Sequence, residues 1–164
     1  MNYVKLYDDV HSPVYATEGS ACFDIKAYLK KDREVKVYSS IDSSENILYS
    51  DEITLDPWDR CLIPTGLIFE IPKRYSMRVY ARSGNAIRKG LCLANSVGII
   101  DSDYNLELFI GVINASNTWI QIKNGDKIAQ CELVQAEQVY LNEVEELKNQ
   151  HMTSRKGGFG STGV

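Results

Sequence analysis

Short apolar runs separated by turn-forming residues recur along most of this chain. Some runs alternate strictly, so that Leu67, Phe69 and Ile71 share one face of an extended segment, as a half-buried strand requires. Spacing of this kind predicts an all-β barrel or sandwich. The predicted strands are Val4–Tyr7, Phe23–Tyr28, Val35–Tyr38, Cys61–Ile63, Leu67–Ile71, Met77–Arg82, Leu91–Ala94, Leu106–Ile113, Trp119–Ile122, Ile128–Val134 and Gln138–Leu141.

One short segment has a helical pattern. Residues Asn85–Lys89 could form one or two turns, ended by Gly90. Strands and helices do not alternate along the chain, which disfavours Rossmann and TIM-barrel architectures. The length of 164 residues suits a single domain, whose body we place at residues 1–150.

Two stretches depart from the strand pattern. Residues 38–52 are rich in Ser, Asp and Glu, which favour turns, and we expect a polar surface insertion there. Residues 151–164 are rich in glycine and have no apolar face, which is typical of a frayed tail. The aromatic Phe159 among these glycines instead favours a lid that closes over a flat ligand, with backbone amides free to meet phosphates.

Charge and composition narrow the function classes. The net charge of −4 supplies no basic field to hold a nucleic-acid backbone. No run approaches the roughly 18 apolar residues of a membrane span, and the first residues lack the pattern of a signal peptide, so we expect a cytoplasmic protein. The four cysteines have no paired spacing, and the two histidines lie near the chain ends, so catalysis is expected from carboxylates.

Three internal segments place polar groups where packing does not explain them. Arg82, Ser83 and Gly84 follow a strand and open the helical segment, so a guanidinium and free amides could meet an anion, although such turns also occur for structural reasons. Asp101 follows an apolar pair. Its carboxylate is either a partly desolvated base or simply part of a turn. Gln130 is a long polar side chain in an apolar run and could simply face solvent.

Together with Gly19–Ile25 and the C-terminal residues, these three segments resemble, in order, the five motifs of the trimeric dUTP diphosphatase (dUTPase) family, which includes viral and phage members. The strings GIIDSDY and GGFGSTG are specific, and the five motifs together cover nearly the whole chain. The resemblance implies a single-domain, distorted jelly-roll or β-barrel fold with one short helix. The matching segments are Gly19–Ile25, Arg82–Gly90, Gly98–Tyr104, Gly125–Gln130, and Arg155 with Gly157–Gly163.

The resemblance also implies a reaction. The chain would hydrolyse dUTP to dUMP and pyrophosphate by in-line attack of water on the α-phosphorus, which limits uracil in DNA and supplies dUMP. Asp101 would orient and deprotonate the water. Mg²⁺ would be bound chiefly by the triphosphate, and Asp24 would touch the water shell of the metal. Tyr104 would lie under the deoxyribose and leave no space for a 2′-hydroxyl.

The remaining substrate contacts are implied in the same way. Arg82, Ser83, Gly84 and Gln130 would hold the phosphate chain. The hairpin that reads uracil would be lined by Asn95, Gly98, Ile99, Ile100 and Phe109.

Residues 151–164 resemble the family's C-terminal arm. Phe159 would stack on uracil and Arg155 would pair with the terminal phosphates, while Gly160, Ser161 and Thr162 would grip the γ-phosphate. In this family the arm reaches a neighbouring subunit of a homotrimer, and the sites are shared between subunits.

Several residues depart from the family pattern, and two other functions are considered. Ala81 and Leu106 replace residues that are usual at their positions, and Leu106 could alter the turn beside the sugar. One alternative function is a dCTP deaminase of the same fold. The other is a dUTP-responsive regulatory protein, which would contact a protein partner through residues 38–52.

Overall fold

The computed structural model describes residues 1–146, which form fourteen strands and one short helix, α1 (Ser83–Lys89). The all-β prediction with a single short helix is therefore confirmed. The strands are β1 (Asn2–Lys5), β2 (Val14–Tyr15), β3 (Phe23–Lys26), β4 (Glu34–Tyr38), β5 (Glu45–Tyr49), β6 (Glu52–Leu55), β7 (Arg60–Pro64), β8 (Leu67–Glu70), β9 (Tyr75–Tyr80), β10 (Leu91–Leu93), β11 (Gly98–Ile100), β12 (Phe109–Asn114), β13 (Ile120–Lys123) and β14 (Lys127–Gln135).

The strands form two five-stranded sheets and two small two-stranded sheets. One large sheet has the order β10-β12-β7-β4-β5, and the other has the order β11-β9-β14-β3-β2. The two small sheets pair β1 with β8 and β13 with β6, and all of these pairings are antiparallel. The sheets stay open, so the architecture is a distorted jelly roll and not a closed barrel.

Alternating side chains build the apolar core. In β4, Val35 and Val37 are buried while Lys36 between them is partly exposed, as a strand with one face on the core requires. The predicted common face of Leu67, Phe69 and Ile71 is buried as well. Each fully buried Ile, Leu or Val contributes roughly 1.5–3 kcal/mol through removal of apolar surface from water.

Helix α1 begins two residues earlier than predicted and ends where predicted. Arg82 precedes it in an extended conformation, and Gly90 follows it with a φ of 74°. A side chain at Gly90 would bring its Cβ to 2.8 Å from the Cβ of Ser116, so only glycine fits this end. A helix of seven residues is too short to be stable alone, so packing against the sheets maintains it.

The structure differs from the sequence pattern in several stretches: strands β2, β5, β6 and β11 were not predicted, and one predicted strand is absent from the part of the chain that the structure describes. The polar segment 38–52 contains the fully exposed strand β5, which pairs with β4 and places Glu45 opposite Tyr38. Ile47 and Tyr49 have the β propensity for this pairing, and Lys36 bonds to Glu45 across the strands at 2.9 Å. The strand predicted at Gln138–Leu141 was wrong, because this segment is exposed and finds no partner strand within residues 1–146.

The four cysteines are free thiols. Cys61 and Cys131 are buried in the core, and burial raises the pKa of the Cys61 thiol to about 12. Cys22 and Cys92 are only half-buried.

Over residues 1–146, no helix is both long enough and apolar enough to cross a lipid bilayer.

Arg74 adopts a strained backbone conformation that glycine would relieve. It has a φ of 67° in a turn closed by the Tyr75 N–H, which donates to the Pro72 carbonyl at 3.1 Å. This conformation costs an L-residue about 1–2 kcal/mol, and glycine loses about 0.5–1 kcal/mol in chain entropy. We expect Arg74→Gly to raise the free energy of unfolding by roughly 0.5–1 kcal/mol, as measured by urea denaturation at fixed protein concentration.

The neighbouring Lys73 provides the control for this prediction. Its φ is not positive, so Lys73→Gly should lower the free energy of unfolding. A loss of stability in Arg74→Gly, or an equal gain in both variants, would contradict the strain argument.

Candidate active site

The predicted site residues fall into two groups, one at the carboxyl end of β9 and one along β11 and the hairpin that follows it. Strand β9 lies between β14 and β11 in the sheet. Arg82 follows the carboxyl end of β9, where Gln130 of β14 lies opposite Tyr80 and Asp24 of β3 lies opposite Gln130. Segments that are far apart in the sequence therefore bring Asp24, Arg82 and Gln130 to the same end of the sheet.

Side-chain contacts connect this first group, which we call the Arg82 cluster (Asp24, Arg82, Lys127 and Gln130). The Arg82 Nε donates to Asp24 Oδ1 at 2.8 Å, and the Lys127 Nζ lies 2.6 Å from Asp24 Oδ2. Gln130 Nε2 donates to the Ala81 carbonyl at 3.0 Å, so the amide does not simply face solvent. Asp24 contacts the Arg82 guanidinium through its Nε, so the two Nη groups are not needed for this contact.

Asp24 is an ionised carboxylate between two cations. Burial by itself raises the pKa of this carboxyl group, but the hydrogen bond from Lys127 and the charge of Arg82 outweigh burial and hold its pKa below the ordinary value. The side chain is only 9% exposed. Asp24 therefore carries its negative charge at neutral pH and orients both cations.

A cavity of about 340 Å³ opens beside the Arg82 cluster. Its charged lining is four cations, Lys26, Arg82, Lys89 and Lys127, with Asp126 as the acidic side chain. Such a surplus of positive groups suits a multiply charged anion. Sequence reasoning missed the three lysines, although Lys89 and Lys127 lie inside motif segments and Lys26 lies directly beside one.

The start of α1 also borders the cavity. Ser83 and Gly84 are exposed, and a Cβ at Gly84 would meet nothing within 4 Å, so a ligand can approach this backbone. Asn85 Nδ2 donates to the Lys127 carbonyl at 2.8 Å and holds the helix against β14. This contact gives Asn85 a structural role.

The second group runs along β9 and reaches the amino end of this strand at Asp101. Strand β11 pairs with β9 so that Gly98 lies opposite Val79 and Ile100 opposite Met77. A Cβ at Gly98 would lie 2.9 Å from the Val79 Cβ and 3.6 Å from Asn95 Nδ2, so glycine permits this close approach. Ile99 is exposed, on the face opposite to the half-buried Ile100.

Asp101 and Tyr104 form a turn directly after β11. The Tyr104 N–H donates to the Asp101 carbonyl at 3.2 Å, and the Tyr104 hydroxyl donates to the Glu107 carbonyl at 2.8 Å. Both side chains are exposed, and Asp101 lines a surface depression next to Arg74 and Ser76. An exposed carboxylate at this point can reach a water molecule or a ligand from outside the chain.

Phe109 begins β12 near the base of the same hairpin. The Ala94 N–H donates to the Gly111 carbonyl at 2.9 Å, which brings the Asn95 end of the hairpin close to Phe109. The Phe109 ring is 40% exposed beside Leu62 on the outer face of the sheet. The structure thus brings Asn95, Gly98 and Phe109 into one hairpin with Asp101 and Tyr104.

Asp101 and the Arg82 cluster are far apart within one chain. Because Ile100 lies opposite Met77, Asp101 is level with Ser76, six residues before Arg82. At about 3.3 Å per residue this separation is about 20 Å along the strand. Asp101 and the Arg82 cluster of the same chain therefore cannot contact the same phosphate group.

Some predicted positions cannot be placed. Arg155, Phe159, Gly160, Ser161 and Thr162 lie outside the described residues. In the part of the chain that the structure describes, no three metal-ligating side chains converge.

Comparisons with known proteins agree with the motifs. A family model described as dUTPase matches residues 46–163. The deoxyuridine 5′-triphosphate nucleotidohydrolase of Finegoldia magna is 39% identical over 163 residues, which cover 98% of each chain.

Solved structures share the fold at lower identity. A dUTPase mutant of Staphylococcus bacteriophage 80alpha with dUpNHpp has a TM-score of 0.76 at 20% identity, over 99% of this chain and 98% of that one. A dUTPase mutant from phage phi11 of S. aureus, described with a structural Mg(II) ion, has a TM-score of 0.70 at 20% identity, over 90% and 97%.

Proposed function

Since this chain belongs to the dUTPase family and hydrolyses dUTP to dUMP and pyrophosphate, we propose that each active site is built by more than one copy of the chain. The observation that carries this proposal is the separation of Asp101 from the Arg82 cluster along β9. One substrate can contact both groups only if they come from different chains.

At one side of this shared site, the Arg82 cluster holds the phosphate chain. Arg82 presents its planar fork to phosphate oxygens, and Gln130 holds the strand end in place through the Ala81 carbonyl. Ser83 and Gly84 offer a hydroxyl and exposed backbone beside the cation-lined cavity. A nucleoside triphosphate carries about four negative charges, so local cations must bind it in a protein whose net charge is −4.

At the other side, a second copy supplies the hairpin around Asp101. Asp101 orients a water molecule for in-line attack on the α-phosphorus and accepts its proton. Tyr104 lies under the deoxyribose and excludes a 2′-hydroxyl. Asn95, with backbone groups of Gly98, Ile99, Ile100 and Phe109, reads uracil by hydrogen bonds, because a mismatched base would leave buried polar groups unpaired.

Mg²⁺ is the metal that we propose for this site. Asp24 fits an outer position, since it is ionised and both of its oxygens already contact Arg82 and Lys127, which line the cavity. The metal would be held chiefly by the substrate phosphates, with Asp24 meeting its water shell. When bound, Mg²⁺ neutralises phosphate charge and stabilises the negative charge of the transition state.

A closed ring of identical chains satisfies this geometry. A contact between two different surfaces of the chain repeats until the ring closes, and it pairs each Arg82 cluster with the Asp101 hairpin of a neighbour. A homotrimer is the ring that the family resemblance implies.

From the same resemblance we propose that residues 151–164 act as an arm that closes over the nucleotide. Phe159 would lie on uracil, Arg155 on the terminal phosphates, and Gly160, Ser161 and Thr162 on the γ-phosphate.

The comparisons give no support to the two alternatives, a dCTP deaminase and a regulatory protein that binds a partner through residues 38–52. The cytoplasmic location and the absence of a nucleic-acid partner stay predictions.

Pyrophosphate release across four nucleotides tests the substrate and the metal. With Mg²⁺ present, we expect dUTP to be hydrolysed at least about 100-fold faster than dTTP, dCTP or UTP, because polar recognition rejects mismatched groups strongly. Chelation by EDTA should abolish most of the activity, and added Mg²⁺ should restore it. Ammonia release from dCTP would contradict the assignment, and full activity in EDTA would contradict the role of the metal.

A further inference from the structure

Glu107 connects the Tyr104 side chain to the body of the protein. Its carbonyl accepts the hydrogen bond from the Tyr104 hydroxyl at 2.8 Å. Its carboxylate accepts two more, from Arg33 Nη2 to Oε2 at 2.6 Å and from the Gly66 N–H to Oε1 at 2.7 Å. The backbone of Glu107 thus holds the tyrosine, and its side chain holds that backbone in place.

Arg33 is itself held from several sides. Its guanidinium lies over the Tyr7 ring at 5.1 Å and the Tyr28 ring at 5.6 Å, and the two rings stack on each other. The Tyr28 hydroxyl donates to Asp9 Oδ1 at 2.6 Å. The Arg33 and Glu107 side chains are only 13% and 12% exposed, so this ion pair is largely shielded from water.

The turn at Gly66, whose N–H donates to Glu107 Oε1, is also constrained. Gly66 has a φ of 68°, and a Cβ there would overlap with Val10 Cγ2. The next residue after Glu107 is held by the same turn, because the Leu108 N–H donates to the Leu67 carbonyl at 2.8 Å and the Thr65 hydroxyl donates to the Leu108 carbonyl at 2.7 Å. Neither Arg33 nor this turn can move to follow a displaced Glu107.

We propose that Glu107, held by Arg33, is a positioning residue for Tyr104, and that this pair sets how strictly the enzyme excludes ribonucleotides. The inference rests on the proposed place of Tyr104 under the deoxyribose. A hydroxyl group needs little extra room, so a shift of about 1 Å in the tyrosine ring is enough to admit it. Glu107 touches no substrate and acts only through Tyr104.

The test compares kcat/KM for dUTP with kcat/KM for UTP. Glu107→Gln keeps the size of the side chain and an oxygen for the Gly66 N–H, but it removes the charge that Arg33 binds. We expect the dUTP-to-UTP ratio to fall about tenfold or more, with a raised KM for dUTP and a smaller change in kcat. The ratio does not depend on the fraction of active enzyme, so a loss of stability alone would leave it unchanged.

Matched variants complete the design. Glu45→Gln removes the exposed ion pair with Lys36 on β5 and should keep the wild-type ratio. Tyr104→Phe removes the hydroxyl that Glu107 holds, so it should lower the ratio, and adding Glu107→Gln should lower it no further. If Glu107→Gln does not fold, Arg33→Lys keeps a positive charge but loses the planar contact, and it should lower the ratio in the same way.

Two outcomes separate this inference from the proposed function. If Tyr104→Ala lowers the dUTP-to-UTP ratio and Glu107→Gln only lowers the melting temperature, the positioning role is wrong and the role of Tyr104 stands. If Tyr104→Ala leaves the ratio unchanged, the place of Tyr104 under the sugar is itself wrong.

Discussion

Replacement of Asp101 by Asn is expected to slow dUTP hydrolysis by about 10²- to 10⁴-fold while dUTP binding stays nearly unchanged. Asn has the same shape and can still orient a water molecule, but it cannot accept the proton at neutral pH. Asp101 is exposed in a turn after β11, so its charge contributes little to the packing of the core. The loss should therefore appear in kcat and not in folding.

Two measurements check this prediction. The rate of pyrophosphate release gives kcat, and titration with a non-hydrolysable dUTP analogue gives Kd. Asp103→Asn removes a second exposed carboxylate from the same turn and should retain most of the activity. Nearly normal kcat in Asp101→Asn would exclude Asp101 as the base, and an equal loss in Asp103→Asn would indicate a general effect of charge.

Mixing two inactive variants is expected to restore activity. In an assembly of Asp101→Asn and Arg82→Ala chains, some sites take Arg82 from one variant and Asp101 from the other. If chains from a 1:1 mixture assemble at random, about one site in four is fully wild type, since each half of a site has an even chance of being intact. Activity should rise to about a quarter of the wild-type value in the unselected mixture and to about a third in trimers that contain both variants, since such a ring has one intact site in three.

The mixed oligomers are obtained by co-expression of differently tagged chains and purification through both tags. The control pairs Asp101→Asn with Tyr104→Ala, whose defects lie in the same hairpin. Every site then receives a damaged hairpin from one variant or the other, so no activity should return. Recovery in the control, or no recovery in purified mixed oligomers of the first pair, would contradict a site shared in this way.

Sequence reasoning predicted most of the strands, because alternation of apolar and polar residues is a local property. The buried face of Leu67, Phe69 and Ile71 was predicted from a few consecutive residues. The end of α1 was predicted equally well, since Gly90 adopts the positive φ that ends a helix. Strand β5 was missed, because its polar neighbours resemble a turn and only pairing with β4 makes it a strand.

In the candidate site, too, some residues were predicted from the sequence and others became evident only from the fold. The motifs named Asp24, Arg82 and Gln130, but not the lysines of the cavity, which have no local signal beyond being charged. Glu107 was missed for a similar reason, since a single Glu after a turn is ordinary in a sequence. Its importance lies in contacts with Arg33 and Gly66, which are far from it in the chain.

The sequence by itself determined the class of fold, the family and the identity of the chemical groups, because residue type, spacing and motif order carry that information. Only the tertiary structure decided that Asp101 and the Arg82 cluster lie at opposite ends of β9. The hydrophobic pattern fixes which face of a strand is buried, but which residues of two distant segments stand opposite each other also depends on how those segments pack. That register is the physical reason why one chain contains all of the described groups and still cannot bring them to one phosphate.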